Sequence, residues 1–276
     1  SIYAWGVGNE MGEKTAYDFV QRGHDLAKKL DPNRLTTYAN NSLHRVKTAE
    51  QVAEAASPIV DYIEWNDYYE SWYKGSLDDV KPALQRFSAL FPNKSIVISE
   101  YGLCECRPQY EQGDQRRIEI LKTHTDAYRT SPNVAGAIFF SYNDYRTHKG
   151  DKGQKAFKQR IHGVVDLLGQ PKPSWQALRE ESSPIKSLIV SQPVQTGETM
   201  STTISLTSRS LENDMPAYTL NQYLMTWITY DKKGLLLKTG KKILPSVTPH
   251  KPFTIPCVIN ILTMPALDKP NVCNIP

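Results

Sequence analysis

Over the first 180 or so positions the apolar residues follow two rhythms in turn. Short apolar runs of strand type fall near residues 2–8, 34–39, 59–65, 95–99 and 134–141. Between them the apolar positions recur at helical spacing. In "KTAYDFVQRGHDLAKKLDP", Ala16, Phe19, Val20, Leu26, Ala27 and Leu30 share a face, and Asp31-Pro32 stops the helix. "TAEQVAEAA" predicts a short helix capped by Thr48, with Gln51 three residues on. "SLDDVKPALQRFSALF", opened by Ser76 or Asp78, "DQRRIEILKTHTDAYRT" and "PSWQALREE" predict three more. "KSIVISEYG" is β-branched and continuously apolar, as a strand buried on both faces should be. Strand–helix alternation with short connections predicts parallel βα units. A long polar loop follows the fifth strand and leads into "RIHGVVD".

The rhythm changes at "SSPIKS", Ser182 to Ser187. Beyond it "IKSLIV", "MSTTISLTS", "QYLMTWITYD", "LLLKTG" and "PFTIPCVI" are alternating or β-branched, with turn residues such as "DKKG" between them. No helical period returns. The expected fold is α/β followed by all-β: residues 1–181, then an antiparallel β-sandwich over 185–276, the size of an immunoglobulin-like domain.

Composition narrows the function classes. Of 276 residues, 39% are apolar and 22% charged, an ordinary globular balance. The net charge of +4 is small and scattered. The densest basic run, Lys149 to Arg160, lacks aromatics interleaved with groove-spaced arginines, so it reads as a solvated loop and not a nucleic-acid contact. No run of 18 apolar residues predicts a membrane span, and no signal peptide is visible. The chain starts at Ser1 in mid-strand and is expected to be a piece of something longer. Cys104 and Cys106 form "CEC", which does not easily bridge to itself; Cys257 and Cys273 could pair, or stay as buried thiols. His24, His44, His124, His148, His162 and His250 are dispersed, so no metal or other cofactor is expected.

The candidate chemistry lies in two glutamates. "SIYAWGVGNE" ends at Glu10, and "SIVISEYG" runs through Glu100. In parallel βα folds the C-terminal strand ends carry the chemistry, and a charged residue in a buried strand needs a partner or a role. Two carboxylates facing one pocket are what glycoside hydrolysis requires. Asn9 precedes Glu10; in an ideal strand the two would point to opposite faces, but at a strand end the twist can bring both to the pocket mouth. Tyr101 follows Glu100, and its phenol is expected to hydrogen-bond that carboxylate and hold it ionised. This makes Glu100 the expected nucleophile and Glu10 the acid/base, with Glu10 raised by its charged neighbour. "IEWNDYYESWY" gathers Trp65, Tyr68, Tyr69, Trp72 and Tyr73 into eleven positions. Some serve packing; Asn66, Tyr68 and Trp72 suit a sugar's edges and faces.

With these residues in view, "WGVGNE", "NDYYESWY" and "ISEYG", in that order, resemble glycoside hydrolase family 2, the family of β-galactosidases, β-glucuronidases and β-mannosidases. "HGVVDLLGQPKPSWQALRE" is similar to the end of its (β/α)8 TIM barrel, and the β-rich tail is similar, more loosely, to the immunoglobulin-like domain that follows. The resemblance implies that the five strands are barrel strands four to eight, with the N-terminal half of the parent chain missing. It implies a retaining exo-β-glycosidase with Glu10 as acid/base and Glu100 as nucleophile. Asn9 would bind the 2-hydroxyl, and Asn66 and Tyr68 would line the site. Phe140 would stand where the family usually has a tryptophan platform. β-Glucuronidases carry an Asn-x-Lys motif before a final glycine; here the matching place reads "RIHG", Arg160 to Gly163. Either Arg160 or His162 could contact an acid, but without the motif the expected substrate is a neutral β-galactoside. A β-glucuronide, a β-mannoside, and a non-catalytic carbohydrate-binding fragment are the alternatives. The expected partner is a carbohydrate, with no nucleic acid and no membrane; a homo-oligomer is compatible with the sequence. Among compartments, the periplasm or exterior is favoured over the cytoplasm.

Overall fold

In the computed structural model, the residues described are 2–105, 113–148, 158–197, 199–212, 214–230, 233–250 and 252–260. The chain divides into two compact units, Ser1–Ser182 and Ser183–Pro276.

The first unit is a five-stranded sheet in the order β1-β2-β3-β4-β5, every neighbouring pair parallel. The strands are β1 (Ala4–Asn9), β2 (Leu35–Asn40), β3 (Ile63–Asp67), β4 (Ile96–Tyr101) and β5 (Val134–Phe139). The helices are α1 (Glu13–Leu30), α2 (Ala49–Ala53), α3 (Val80–Leu90), α4 (Gly113–Arg129) and α5 (Pro173–Glu181). Spatial order equals chain order, so each strand is laid beside the last by a crossover that contains a helix. Parallel pairing demands such a crossover.

Local chemistry sets the boundaries. Thr48 caps α2, accepting from Gln51 N at 3.4 Å, while Lys47 N donates to Gln51 Oε1 at 2.7 Å. Ser76 and Asp79 form a reciprocal capping box, but it opens a 3₁₀ turn, Leu77–Asp79, that precedes α3. The third strand begins at Ile63, four residues later than the apolar pattern predicts. The cause is Asp61, whose carboxylate takes Thr36 N at 2.7 Å and Thr36 Oγ1 at 2.9 Å and pairs with Lys28 at 2.8 Å. That ties residues 59–62 to the start of β2 instead of extending β3. The polar loop after β5 contains a short antiparallel ladder, β6 (Tyr145–Arg146) with β7 (Gln159–Arg160). Residues 149–157 of the basic run lie outside the described residues.

α1 packs on the sheet through Ala16 and Val20, which meet Tyr38, Ala56 and Val60 in one buried cluster with Val7 and Met11. The Tyr38 hydroxyl accepts from Met11 N at 3.0 Å and donates to Gly12 O at 3.2 Å, which fixes the turn between β1 and α1. Glu13, half-buried at the start of α1, accepts from Ala56 N (2.8 Å), Ser57 N (3.0 Å), Ser57 Oγ (2.6 Å) and the Asn40 amide. It welds the helix start to the end of β2. Cys104 is buried and disulfide-bonded, not a free thiol. The side chains of Cys257 and Cys273 fall outside those described.

Among the described residues of the second unit, every strand pairing is antiparallel. β8 (Ile185–Val190), β9 (Val194–Thr196) and β13 (Pro252–Asn260) pair with β10 (Thr199–Ser208), and β11 (Leu224–Tyr230) pairs with β12 (Leu236–Ile243). β9 is a strand that the sequence pattern did not predict. Ile204 and Leu206 of β10 share a buried core with Met225 of β11, Leu220, Leu244 and Val247. Among the described residues no helix is long and apolar enough to cross a membrane.

Asp67, at the end of β3, is fully buried towards α4. It accepts from Tyr128 Oη at 2.8 Å and Tyr69 N at 3.3 Å, with His124 Nδ1 at 3.5 Å. Burial pushes its carboxyl up to about 7, against the two hydrogen bonds, while burial pushes His124 down to about 3. Because the folded value of Asp67 is raised, its contribution to stability is complete below its ordinary value of 3.8 and is lost as pH rises to about 7. Asp67→Asn does not titrate. Its stability deficit against wild type should therefore shrink between pH 5 and pH 8, by up to about 1.4 kcal/mol per pH unit below 7. Melting curves of both proteins at the two pH values check this; a deficit independent of pH would refute it.

Candidate active site

All five strands deliver residues to one cleft of about 360 Å³ at their C-terminal ends. Glu10 follows β1, Asn41 follows β2, Tyr68, Trp72 and Tyr73 follow β3, Glu100 lies at the end of β4 and Phe140 follows β5. Tyr145, Arg160 and His162 also line it.

Glu10 has a positive φ of 55°, a left-handed conformation uncommon for a residue with a side chain. It breaks the strand alternation that would send Asn9 and Glu10 to opposite faces. As a result one amide reaches both. Asn66 Nδ2 donates to Glu10 Oε1 at 2.8 Å and to Asn9 Oδ1 at 3.3 Å. Asn66 is completely buried, and its Oδ1 accepts from Ser99 Oγ at 2.6 Å. Its own carbonyl accepts from the Tyr73 hydroxyl. β1 and β3 are separated by β2, so in a flat sheet their backbones would lie about 9.6 Å apart. Side chains that meet across that gap place the strand ends on a concave surface.

Glu100 is held from the neighbouring strand. Tyr68 Oη donates to Glu100 Oε2 at 2.6 Å, a charge-assisted contact. Burial pushes the Glu100 carboxyl up, the Tyr68 bond pulls it down, and the charge of Glu10 adds to the rise. Burial and the Glu100 charge drive the Tyr68 phenol far above its ordinary value, so it stays a donor. The phenol expected from Tyr101 is supplied by Tyr68. Tyr101 is one residue further along β4, so its side chain leaves the other face. There its hydroxyl meets Thr125 Oγ1 at 3.2 Å and its ring packs on Tyr128 and His124 of α4. Tyr101 is therefore not a cleft residue.

Of the other expected sugar contacts, Tyr68, Trp72 and Phe140 line the cleft. Asn66 does not; it lies beneath Glu10 and acts on that carboxylate. Asn9 is exposed beside it, joined through the same amide. The sequence reading missed Asn41, Tyr73 and Tyr145. Asn41 had a signal, a polar pair at the end of β2; Tyr145, in a polar loop, had none. Burial, with the Arg160 and Arg117 charges, lowers His162 to about 3, so its ring is neutral. Among the described residues no group of three or more His, Cys, Asp or Glu is placed to hold a metal ion.

A parallel βα sheet with paired carboxylates at its C-terminal strand ends defines a TIM-barrel type of protein with an acidic cleft. The chain belongs to glycosyl hydrolases family 2: the model of that family's TIM barrel domain matches residues 1–187. It is 25% identical over 162 residues to a β-glucuronidase of Streptococcus agalactiae, covering 54% of this chain and 26% of the relative. It is 33% identical over 104 residues to a β-glucuronidase of Bacteroides fragilis, covering 37% of this chain and 13% of the relative. The chain thus spans about a quarter or less of the curated relatives it matches. The crystal structure of an FMN-binding β-glucuronidase from Facaelibacterium prausnitzii L2-6 has the same fold, with a TM-score of 0.54 and 21% identity over 93% of this chain and 37% of that one.

Tyr68→Phe removes the donor that lowers the Glu100 carboxyl and leaves its burial in place. The Glu100 carboxyl, already raised by burial and by the Glu10 charge, should therefore rise further. Carbodiimide modifies protonated carboxyls. Read by mass spectrometry on the Glu100 peptide, labelling of Tyr68→Phe should persist to higher pH than labelling of wild type; coincident profiles would refute the contact.

Proposed function

We propose that this chain carries the carboxylate pair of a retaining β-glycosidase, with Glu100 as nucleophile and Glu10 as general acid/base. The observation that carries the reading is two glutamates from the ends of β1 and β4 lining one cleft, each held by a different donor. Glu100, gripped by Tyr68, is oriented as an anion that attacks the anomeric carbon. Glu10 accepts the Asn66 amide on Oε1, which leaves Oε2 to carry a proton to the departing glycosidic oxygen. Water then enters, Glu10 takes its proton, and the Glu100–sugar bond breaks to release the sugar with its configuration retained. The mechanism needs the two carboxyl groups roughly 5–5.5 Å apart. Trp72, Tyr68 and Phe140 offer ring faces to the sugar's C–H surfaces.

For the sugar, a β-uronide replaces the β-galactoside expected from the missing Asn-x-Lys motif. Two curated relatives both named β-glucuronidase support this. The second unit is read as an immunoglobulin-like domain, a reading supported by antiparallel ladders on a common core.

The test uses the full natural polypeptide that contains this chain. A 2-deoxy-2-fluoro β-glucuronide with a good leaving group should trap a covalent adduct on Glu100. Glu10→Gln should lose about 10²–10⁴-fold in rate on a glucuronide whose leaving group needs protonation. It should lose far less on a dinitrophenyl glucuronide, whose leaving group does not. An adduct on another residue, or equal losses on both substrates, would overturn the assignment.

A further inference from the structure

Each glutamate of the cleft is preceded by a polar residue, Asn9 before Glu10 and Ser99 before Glu100. Both polar side chains end at the Asn66 amide. Neighbours on a regular strand leave opposite faces, so each case needs a local departure from the strand. In β1 it is the left-handed backbone of Glu10. In β4 it is a bulge. Trp65 of β3 stands opposite Ile98, but Asn66 stands opposite Glu100. On the other edge Ile98 stands opposite Ala137 and Tyr101 opposite Phe139. β4 therefore holds one residue more than either neighbour, and the β3 register makes that residue Ser99. A bulge re-aims a side chain. Here it lets Ser99 and Glu100, adjacent in sequence, meet Asn66 and Tyr68, which share one face of β3.

The chemistry of the contact has one direction. Ser99 Oγ donates to Asn66 Oδ1 at 2.6 Å, because an amide oxygen only accepts. Among the described residues no other group donates to that oxygen. At its other end the amide gives Nδ2–H to Glu10 Oε1 at 2.8 Å. Glu10 is itself exposed, and among the described residues Asn66 is the only donor to its carboxylate. The carboxylate thus takes its direction from an amide, and the amide takes its own from a serine on β4. Asn66 is completely buried, so bulk solvent does not stand in for a lost donor. Ser99 is not among the residues that line the cleft.

We propose that Ser99 is a positioning residue for the acid/base step: its hydroxyl holds the Asn66 amide in the orientation that occupies Glu10 Oε1 and leaves Oε2 directed at the glycosidic oxygen. The assignment rests on the glycosidase reading and extends it to a residue that touches neither substrate nor reacting atoms. β4 then supplies the nucleophile and, one residue earlier, the group that aligns the nucleophile's partner across the cleft. Without the hydroxyl, Asn66 Oδ1 is a buried acceptor with no donor. The amide shifts from its place, and the exposed Glu10 loses the one bond that directs it. A misdirected Glu10 penalises leaving groups that need a proton. Attack by Glu100, held separately by Tyr68, does not depend on it.

The test is hydrolysis, by the full natural polypeptide, of phenyl and dinitrophenyl β-glucuronides, or of the matching β-galactosides should wild type turn over those instead. Ser99→Ala should lower kcat/KM on the phenyl substrate by about tenfold or more, a share of the roughly 10²–10⁴ that a positioned acid contributes. On the dinitrophenyl substrate it should lose far less. Ser99→Thr keeps the hydroxyl on a residue suited to a strand and should restore most of the loss. In a Glu10→Gln background Ser99→Ala should cost nothing further on the phenyl substrate, because it acts through that carboxylate. Equal losses on both substrates, the pattern of a merely destabilised protein, would overturn the proposal. So would a loss that Ser99→Thr leaves in place, or one that persists in the Glu10→Gln background. The two readings fail separately. Wild-type turnover with a Ser99→Ala effect indifferent to the leaving group removes the positioning role and keeps the glycosidase. No wild-type turnover of any β-glycoside removes both.

Discussion

The site depends on the side chain of Asn66. One buried amide donates to Glu10 and Asn9 at the end of β1 and accepts from Ser99 on β4, while its own backbone belongs to β3. Three strands are therefore pinned at their C-terminal ends by one group with no freedom to turn. A buried amide whose bonds fail leaves polar atoms without water or partner, at roughly 1–3 kcal/mol each. The bonds also fix which way the amide faces: the nitrogen towards the acid of β1, the oxygen towards the hydroxyl of β4. Reversing it would set an oxygen against a carboxylate. The orientation of Glu10 is thus decided by the interior of the sheet, not by its own exposed strand end.

The alternation of a strand divides labour along β3. Asn66 faces the concave side and organises the cleft. Asp67, the next residue, faces α4, where Tyr128 and Tyr69 satisfy it. Tyr68 then returns to the concave side and holds Glu100. Consecutive residues thus serve the cleft, the helix layer and the cleft again. β4 repeats the rule, with Glu100 inward and Tyr101 outward against His124 and Tyr128. Position on a strand decides which phenol meets the nucleophile candidate, and adjacency in sequence works against it.

That rule also explains what could and could not be read from the chain. The five parallel strands were legible because their apolar runs and the intervening helical period are local patterns. Glu10 and Glu100 were legible because a carboxylate at the end of an apolar run is costly without a role. The partner of Glu100 was not, since choosing between Tyr68 and Tyr101 requires knowing that β3 and β4 are neighbours and which face is concave. The start of β3 was hidden for a similar reason: Asp61 is drawn to Thr36 and Lys28, contacts made across the sheet. The left-handed backbone at Glu10 leaves no mark in composition, yet it decides that Asn9 and Glu10 share a partner. The 3₁₀ turn before α3, by contrast, kept Ser76, one of the two openers the pattern predicts, but paired it with Asp79 and not Asp78.

The electrostatics of Glu100 tie the fold to the proposed chemistry. In the free cleft its charge is opposed by burial and by Glu10, and the Tyr68 hydroxyl counters both. The same burial that raises the carboxyl also lowers the local dielectric, so any charge that forms beside it interacts more strongly than in water. On the proposed mechanism the sugar becomes positively charged as the glycosidic bond breaks. At that point the half-buried carboxylate meets its complement, which adds to what the Tyr68 hydroxyl already offsets. Glu10, with one oxygen committed to Asn66, gives up its proton in the same step and gains negative charge facing the same centre. An interaction that strengthens as the sugar turns cationic favours the transition state over the bound substrate, the condition for speeding the reaction rather than tightening binding. The Tyr68 donor that keeps Glu100 aligned for that step reaches it because β3 and β4 are neighbours in the sheet.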